Sequence, residues 1–272
     1  MSSIAATLPR ASVERKDELL LPAFTLWLRE VVRFYRQKAR VIGVIASPVV
    51  FWIVIGSGFG TSFRTGANAG QHYLEYFYPG ALVMIVLFTS IFTMMSVIED
   101  RNQGFLLSVL VAPVARPAIV LGKVLGGTTL STAQGLIFLV FAPLVGVRIG
   151  IGNFVLVVVT VFLVSFALTA LGFAIAWPMD STQAFHAIIN LFLIPLWLLS
   201  GALFPLSGAS AWLRLLMRIN PLTYGVEALR QLLYPGTGGN LASSLGTLLL
   251  FSLFMFALAL VMVNRRTTKP AA

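Results

Sequence analysis

The chain has 272 residues, of which 58% are hydrophobic and only 10% are charged, and its formal net charge is +10. A soluble domain carries about 25% charged residues, so this composition leaves too little polar surface for a fold in water and excludes a soluble protein. The absence of cysteine excludes disulfides and thiolate metal sites. The basic residues cluster at the ends of apolar stretches, which indicates membrane topology and not nucleic-acid binding. We therefore expect an all-α, polytopic membrane protein whose single transmembrane domain covers 1–272.

The first predicted element is an amphipathic helix at 19–40. Its apolar residues recur at helical spacing and basic residues fill the gaps. The apolar set is Phe24, Trp27, Leu28, Val31, Phe34 and Tyr35, and the basic set is Arg29, Arg33, Arg36 and Lys38. We expect this helix to lie in the cytoplasmic membrane interface with its basic face toward anionic headgroups. A solvated juxtamembrane linker is the alternative.

Six stretches are apolar over about 20 residues, the length of a helix that crosses a hydrocarbon core of roughly 30 Å. They are 41–60, 77–98, 124–145, 153–177, 185–204 and 241–263. Their apolar interiors contain no Asp, Glu, Lys or Arg, which disfavours an ion-driven carrier because such carriers commonly bind the ion at an intramembrane ionisable group. We expect their polar side chains, Asn190 among them, to hold the helices together, and lining a transport pathway is the alternative.

Lysine and arginine predict the orientation of the spans. The first 40 residues hold eight, the second connection three and the tail three, against five on the opposite side. Because basic residues favour the cytoplasm, both termini and 99–123 are predicted to face it. The connections 61–76, 146–152 and 205–240 are predicted to face outward.

The connection 99–123 contains its own apolar run, from Phe105 to Val111. Gly104 precedes this run and Pro113 follows it, so it predicts two turns of helix that are too short to cross the membrane. The alternative is a topological loop whose prolines only end the neighbouring helices.

Glu99 and Asp100 stand where the second predicted span leaves the membrane. We expect them to accept ion pairs, and the candidate donors are Arg101, Arg116, Lys123 and the basic residues of the N-terminal helix. An exposed ion pair contributes only about 0.2–1 kcal/mol, so folding is expected to survive the loss of both carboxylates.

The connection 205–240 shows two short helical patterns that meet at Asn220-Pro221. Asparagine can cap the second helix and proline suits its first position. Each half has about 11 residues, which is too short to span. We expect a re-entrant helical hairpin that enters the outer leaflet, and a lid lying flat on the outer surface is the alternative.

Nucleotide and metal sites are not predicted. The Gly122-Lys123 pair is followed by valine and lacks the upstream glycine of a phosphate-binding loop. His72 and His186 have no partner cluster, and packed or interfacial histidines explain them better than metal ligands do.

Two stretches, 99–127 and 204–230, resemble the signature regions of ABC exporter permeases of the second type, which include daunorubicin-resistance, nodulation-factor and polysaccharide export subunits. The resemblance implies a non-enzymatic subunit of the cytoplasmic (inner) membrane without a cofactor of its own. It further implies a homodimer of permeases with two ATPase subunits that bind ATP and Mg. The expected cargo is a lipid, an amphipathic drug or a glycan, moved along the interface of the two copies past the first, second and fifth spans. An ion-coupled carrier and a non-transporting scaffold are the alternatives.

The resemblance also implies which residues act. The short helix after the acidic pair would be a coupling helix that contacts the ATPase, with Leu107 and Leu110 on its docking face. The coupling positions are Glu99, Asp100, Arg101, Gly104, Leu107, Leu110, Pro113 and Arg116, followed by Gly122 and Lys123. The outer hairpin positions are Asn220, Pro221, Tyr224, Glu227 and Arg230. Many members carry Glu or Gln shortly after the glycine, whereas this chain has Leu106 and Leu107, which predicts more apolar docking contacts.

Overall fold

A computed structural model describes residues 19–58, 73–147, 149–234, 236 and 239–265. This part of the chain is almost entirely helical and contains no β-strand, which confirms the all-α prediction. The helices are α1 (Leu20–Arg36), α2 (Lys38–Gly58), α3 (Tyr73–Thr93), α4 (Met95–Asn102), α5 (Phe105–Val111), α6 (Arg116–Leu139), α7 (Ile151–Ala176), α8 (Thr182–Leu198), α9 (Ala211–Ile219), α10 (Pro221–Leu233) and α11 (Leu241–Asn264). Short 3-10 helices lie at Ala142–Val145 and Leu206–Gly208.

A helix occupies each of the six predicted spans, with shifted bounds. The largest shift is in α6, which begins at Arg116 although the span was predicted from 124. Pro117 fits the first turn of α6, where a missing N–H costs no hydrogen bond. The helix therefore takes Lys123 into its own structure, and the predicted connection 99–123 is shorter than expected.

Within the described ranges, three helical segments are long and apolar enough by themselves to cross a membrane: Tyr73–Asn102, Ile151–Ala176 and Leu241–Asn264. Pro48–Gly58 and Thr182–Leu198 are apolar but shorter. The count of six crossings stays a prediction. Several residues used for the orientation lie outside the described residues, namely Arg10, Arg15, Lys16, Arg64, Arg148, Arg266 and Lys269, as do His72 and most of the predicted loop 61–76.

The centre of the bundle is formed by α3, α6 and α7, which pack on one another. Glycines let these helices approach closely: a Cβ on Gly127 would lie 2.6 Å from Thr169 Cγ2, and one on Gly135 would lie 3.0 Å from Val161 Cγ1. Such small-residue contacts are the usual way in which helices associate in lipid. Around this centre, α1 packs on α6, α2 on α3, and α10 and α11 on α7.

Candidate coupling site and apolar cavity

Asp100 is the centre of a charged cluster between α1, α4 and α6, and its side chain is fully buried. Arg29 donates two hydrogen bonds to the carboxylate, Nη1 to Oδ2 at 2.8 Å and Nη2 to Oδ1 at 2.7 Å. Arg33 Nη1 donates to Oδ1 at 2.8 Å, and the Lys123 ammonium also donates to Oδ2. Paired arginine forks hold a carboxylate in a fixed orientation. Asp100 therefore connects α4 to α1 and α6 in a defined orientation.

Glu30 and Glu99 complete this cluster. Lys123 Nζ lies 2.5 Å from Glu30 Oε1 and 3.1 Å from Ser96 Oγ, and Arg33 Nη2 lies 2.5 Å from Glu99 Oε2. The cluster has three cations, Arg29, Arg33 and Lys123, and three carboxylates, Glu30, Glu99 and Asp100. Its formal charge is zero, which lets it stay buried without an uncompensated ion. The hydrogen bonds to Asp100 raise the pKa of Arg29 above its ordinary value.

The glycines of α6 bring α1 close enough to form this cluster. A Cβ on Gly122 would lie 2.6 Å from Leu26 Cβ and 2.7 Å from the carbonyl oxygen of Ala23. One on Gly126 would lie 2.8 Å from Glu30 Cβ. The two glycines are four residues apart, so they form a groove on one face of α6 into which α1 fits.

Two basic residues of α1 point in the opposite direction to the one predicted. Arg29 and Arg33 point toward the carboxylates, not toward headgroups. An apolar stripe of the same helix is instead exposed on the chain's surface: Leu21, Phe24, Leu28, Val32 and Tyr35. In a membrane an exposed apolar face is favourable, because lipid can cover it. Arg36 and Lys38 are exposed.

The predicted helix at 105–111 is present as α5, and the turn before it depends on Gly104, which has φ +74°. Leu106 is buried, whereas Leu107 is 66% and Leu110 39% exposed. With Val111, these two leucines form one exposed apolar face. Arg29 also stacks on this helix, since its guanidinium carbon lies 3.7 Å from the centroid of the Phe105 ring. That α5 docks on an ATPase stays a prediction.

Two of the candidate donors for the acidic pair bind elsewhere. Arg101 donates to the carbonyl oxygen of Met179 at 2.8 Å and to Asp180 Oδ1 at 3.0 Å, and also to the carbonyl oxygen of Trp177. It therefore caps the C-terminal end of α7 and holds the α7–α8 connection. Arg116 donates to the carbonyl oxygen of Val263, near the end of α11, at 3.2 Å. Pro113 lies in the connection between α5 and α6.

Asn220 joins α9 to α10 as the sequence predicts. Its Oδ1 accepts from the Leu222 N–H at 3.0 Å, Pro221 follows in the first turn, and its Nδ2 donates to the carbonyl oxygen of Leu196 at 2.5 Å. Tyr224 donates to the carbonyl oxygen of Arg218 at 2.8 Å. Asn220 therefore also ties the junction of α9 and α10 to the end of α8.

Arg230 fastens α10 to α3. Its Nη2 donates to the carbonyl oxygen of Gly201 at 3.1 Å, and its guanidinium carbon lies 4.2 Å from the centroid of the Tyr76 ring. Tyr76 donates to the same carbonyl at 3.1 Å. Glu227 accepts from Gln231 Nε2 on the next helical turn at 3.4 Å. That 205–240 is a re-entrant hairpin stays a prediction.

An apolar cavity of about 440 Å³ lies between α2, α3 and α8. These helices correspond to the first, second and fifth predicted spans. Its lining is Gly43, Pro48, Phe51, Met84, Phe88, Phe92, Leu193, Ile194 and Trp197. Cavities of about 300–1,000 Å³ with such a lining bind drug-sized molecules.

Sequence reasoning missed Glu30. It is the only acidic residue of 19–40, and it falls on the buried face of α1 with Ala23, Leu26 and Phe34. The sequence does carry a signal for it, because this single carboxylate recurs at helical spacing with residues of the core. Its partner in α6 could not be identified from spacing, because Lys123 is 93 positions away.

The part of the chain that forms the charged cluster and the cavity also matches known proteins. The sequence profile of the ABC-2 type transporter family matches residues 23–234. A putative transport permease of Cyanophora paradoxa is 29% identical over 232 residues, covering 85% of this chain and 80% of its own. A daunorubicin resistance ABC transporter permease protein of Streptomyces coeruleorubidus is 26% identical, covering 79% and 75%. Nodulation protein J of Sinorhizobium fredii is 23% identical, covering 89% and 92%.

Proposed function

Because the chain belongs to the ABC-2 type transporter family and is a membrane permease subunit of an ABC transporter, we propose that it exports an amphipathic substrate with energy from a separate ATPase. The observation that carries this proposal is the connection from α5 to the bundle. The exposed leucines of α5 offer a docking face, and Arg29 links its first residue, Phe105, to Asp100. A push on α5 is thereby transmitted to α1, α4 and α6 together.

The partners in this proposal are two ATPase subunits, which bind ATP and Mg, and a second copy of this chain. The complex resides in the cytoplasmic membrane with both termini and α5 toward the cytoplasm. The cavity between α2, α3 and α8 opens onto the path between the copies. The proposed substrate is a lipid, an amphipathic drug or a glycan. The name of one relative, a daunorubicin resistance ABC transporter permease protein, supports a drug-like substrate.

The rival functions make different predictions. An ion-coupled carrier would transport in vesicles that contain this chain alone and an ion gradient. A scaffold would bind a partner without moving any substrate. The proposed permease transports only when an ATPase subunit and ATP are present.

The test of docking is co-purification of this chain with a co-expressed candidate ABC ATPase subunit. Replacing Leu107 and Leu110 by Asp should abolish co-purification, because both side chains are exposed on one face of α5. Ser108→Asp is the matched control: it adds charge to an exposed position of the same helix but leaves the leucines in place. Unchanged ATPase binding by the double aspartate variant would refute α5 as the docking element.

The orientation is tested in this cysteine-free chain with single cysteines at Ser108 and Ser207, which are both exposed. An impermeant thiol reagent should label position 108 only from the cytoplasmic side and position 207 only from outside. Labelling of both positions from one side would contradict the proposed topology.

A further inference from the structure

Three polar side chains lie on one face of the first half of α8. Gln183, His186 and Asn190 follow one another at spacings of three and four residues, so they form a stripe along the helix. Gln183 and Asn190 are exposed and His186 is partly exposed. The same face continues with Ile194 and Trp197. We call Gln183, His186 and Asn190 the α8 polar stripe.

The α8 polar stripe leads directly into the apolar cavity. The His186 ring lies 5.3 Å from the ring of Phe92, which lines the cavity. Ile194 and Trp197, which follow the stripe along the same face, are lining residues as well. The α8 polar stripe therefore adjoins the apolar cavity at Phe92 and Ile194.

The polar part lies toward the coupling end of the molecule. Arg101, at the end of α4, holds the carbonyl of Met179 and the carboxylate of Asp180, just before α8 begins. The stripe occupies the first half of the helix and is therefore nearer to α5 than the aromatic half with Trp197. In the proposed orientation this is the cytoplasmic end.

The position of Asn190 shows that this face does not belong in lipid. Asn190 is the middle residue of α8, about 12 Å along the axis from Thr182 at 1.5 Å per residue. An amide that faces acyl chains at this depth loses its hydrogen bonds with water. Its neighbours Leu191 and Phe192, on other faces, are apolar and strongly exposed, as lipid contact requires. We therefore expect the stripe to face a space that contains water and not lipid.

We propose that the α8 polar stripe binds the head group of the transported molecule while the apolar cavity binds its body. This inference rests on the proposed function and names its substrate class: an amphipathic small molecule with an aromatic or aliphatic body and an uncharged head that carries hydroxyl or carbonyl groups. Two amides and an imidazole can both donate to and accept from such a head. The residues that line the described cavity contribute no ionisable side chain, which favours an uncharged body.

The first experiment measures access of water to the stripe. Asn190→Cys and, as a matched control, Leu191→Cys are made in the full-length cysteine-free chain and reconstituted in nanodiscs. An impermeant thiosulfonate should modify position 190 about tenfold faster than position 191, because a thiol in lipid does not form the reactive thiolate. Equal rates would overturn the proposal, including the case in which a second copy covers Asn190.

The second experiment measures recognition of the head group with two probes that differ by one hydroxyl, 1-pyrenebutanol and 1-butylpyrene. Wild-type chain in nanodiscs should bind the alcohol saturably and about tenfold more tightly than the hydrocarbon, since a buried hydrogen-bonding site rejects an analogue without the hydroxyl. Asn190→Leu and His186→Leu should remove this preference without weakening butylpyrene binding. Phe192→Leu, on another exposed face of α8, is the control that should keep it.

Absence of saturable pyrenebutanol binding, or a preference that survives both leucine variants, would overturn the subsite. Neither result would affect docking of the ATPase on α5, which the co-purification experiment measures. The two proposals can therefore fail separately.

Discussion

Lys123 and Glu30 form a buried ion pair between α6 and α1, with 2.5 Å between Nζ and Oε1. Both side chains are almost completely buried. Such a pair stabilises only when each partner is present, because removing one leaves a buried charge. The two residues should therefore behave as one unit in mutagenesis.

A double-mutant cycle tests this unit. Lys123→Met should lower the melting temperature of the detergent-purified chain strongly, because Glu30 and Asp100 both lose a buried cation and only the more distant Arg29, at 3.5 Å, remains beside Glu30. Adding Glu30→Gln should recover part of the loss, since coupled neighbours deviate from additivity by about 0.5–3 kcal/mol. Strictly additive effects would show that the 2.5 Å contact contributes no coupling energy.

Asp100 and Glu99 are adjacent, but we expect their contributions to stability to differ. Asp100 is 0% and Glu99 24% exposed at the side chain, so the expectation that folding tolerates loss of both carboxylates rests on an exposure that Asp100 does not have. It treated both as exposed, whereas Asp100 is surrounded by Arg29, Arg33 and Lys123. Asp100→Asn should cost about 3–5 kcal/mol of stability. Glu99→Gln should cost less than about 1 kcal/mol and serves as the control in thermal unfolding.

The glycine groove of α6 predicts that replacing glycine by alanine changes stability in opposite directions inside and outside the groove. Alanine in place of glycine within a helix normally stabilises by about 0.5–1 kcal/mol. Gly246→Ala in α11 should do so, because its Cβ would meet no atom within 4 Å. Gly122→Ala should destabilise and loosen α1, because its Cβ would lie 2.7 Å from the backbone oxygen of Ala23. Hydrogen exchange of α1 measures this, and unchanged protection in Gly122→Ala would contradict the tight groove.

Replacing Arg101 should impair the protein more than replacing its carboxylate partner, Asp180. Asp180 is 71% exposed at the side chain, so Asp180→Asn is expected to have little effect on stability. Arg101→Ala removes the hydrogen bonds to the carbonyls of Trp177 and Met179 as well. In the reconstituted complex it should raise the ATP hydrolysed per molecule exported, since α4 no longer holds the start of α8. Equal coupling ratios for both variants would falsify this role.

Asn220 has two separable contacts. Asn220→Ser keeps a neutral oxygen that caps α10 but loses the donor to Leu196. Asn220→Ala loses both, and the cap alone contributes about 0.5–2 kcal/mol. The melting temperature should fall in the order wild type, serine, alanine. Identical values for the two variants would show that the cap itself contributes nothing.

Local signals were sufficient for some elements and insufficient for the charged cluster. Gly104, Pro113 and the apolar run between them define α5, and Asn220-Pro221 defines the start of α10, because caps and breakers act within a few residues. The inward direction of Arg29 could not be predicted, because a helix between protein and lipid can bury either its charged or its apolar face. Its partner lies 71 positions away, beyond the reach of any periodicity.

The sequence separation within the charged cluster has a consequence for biosynthesis. Glu30 precedes Lys123 by 93 positions, which corresponds to about 5–19 s of translation at 5–20 residues per second. Throughout this interval α1 exists without the groove of α6, although Arg29 and Arg33 can already pair with Asp100 and Glu99 of α4, which precede Lys123 in the chain. Assembly of this corner of the protein is therefore completed only by the third predicted span, and a ribosome that stalls before Lys123 leaves Glu30 without its lysine.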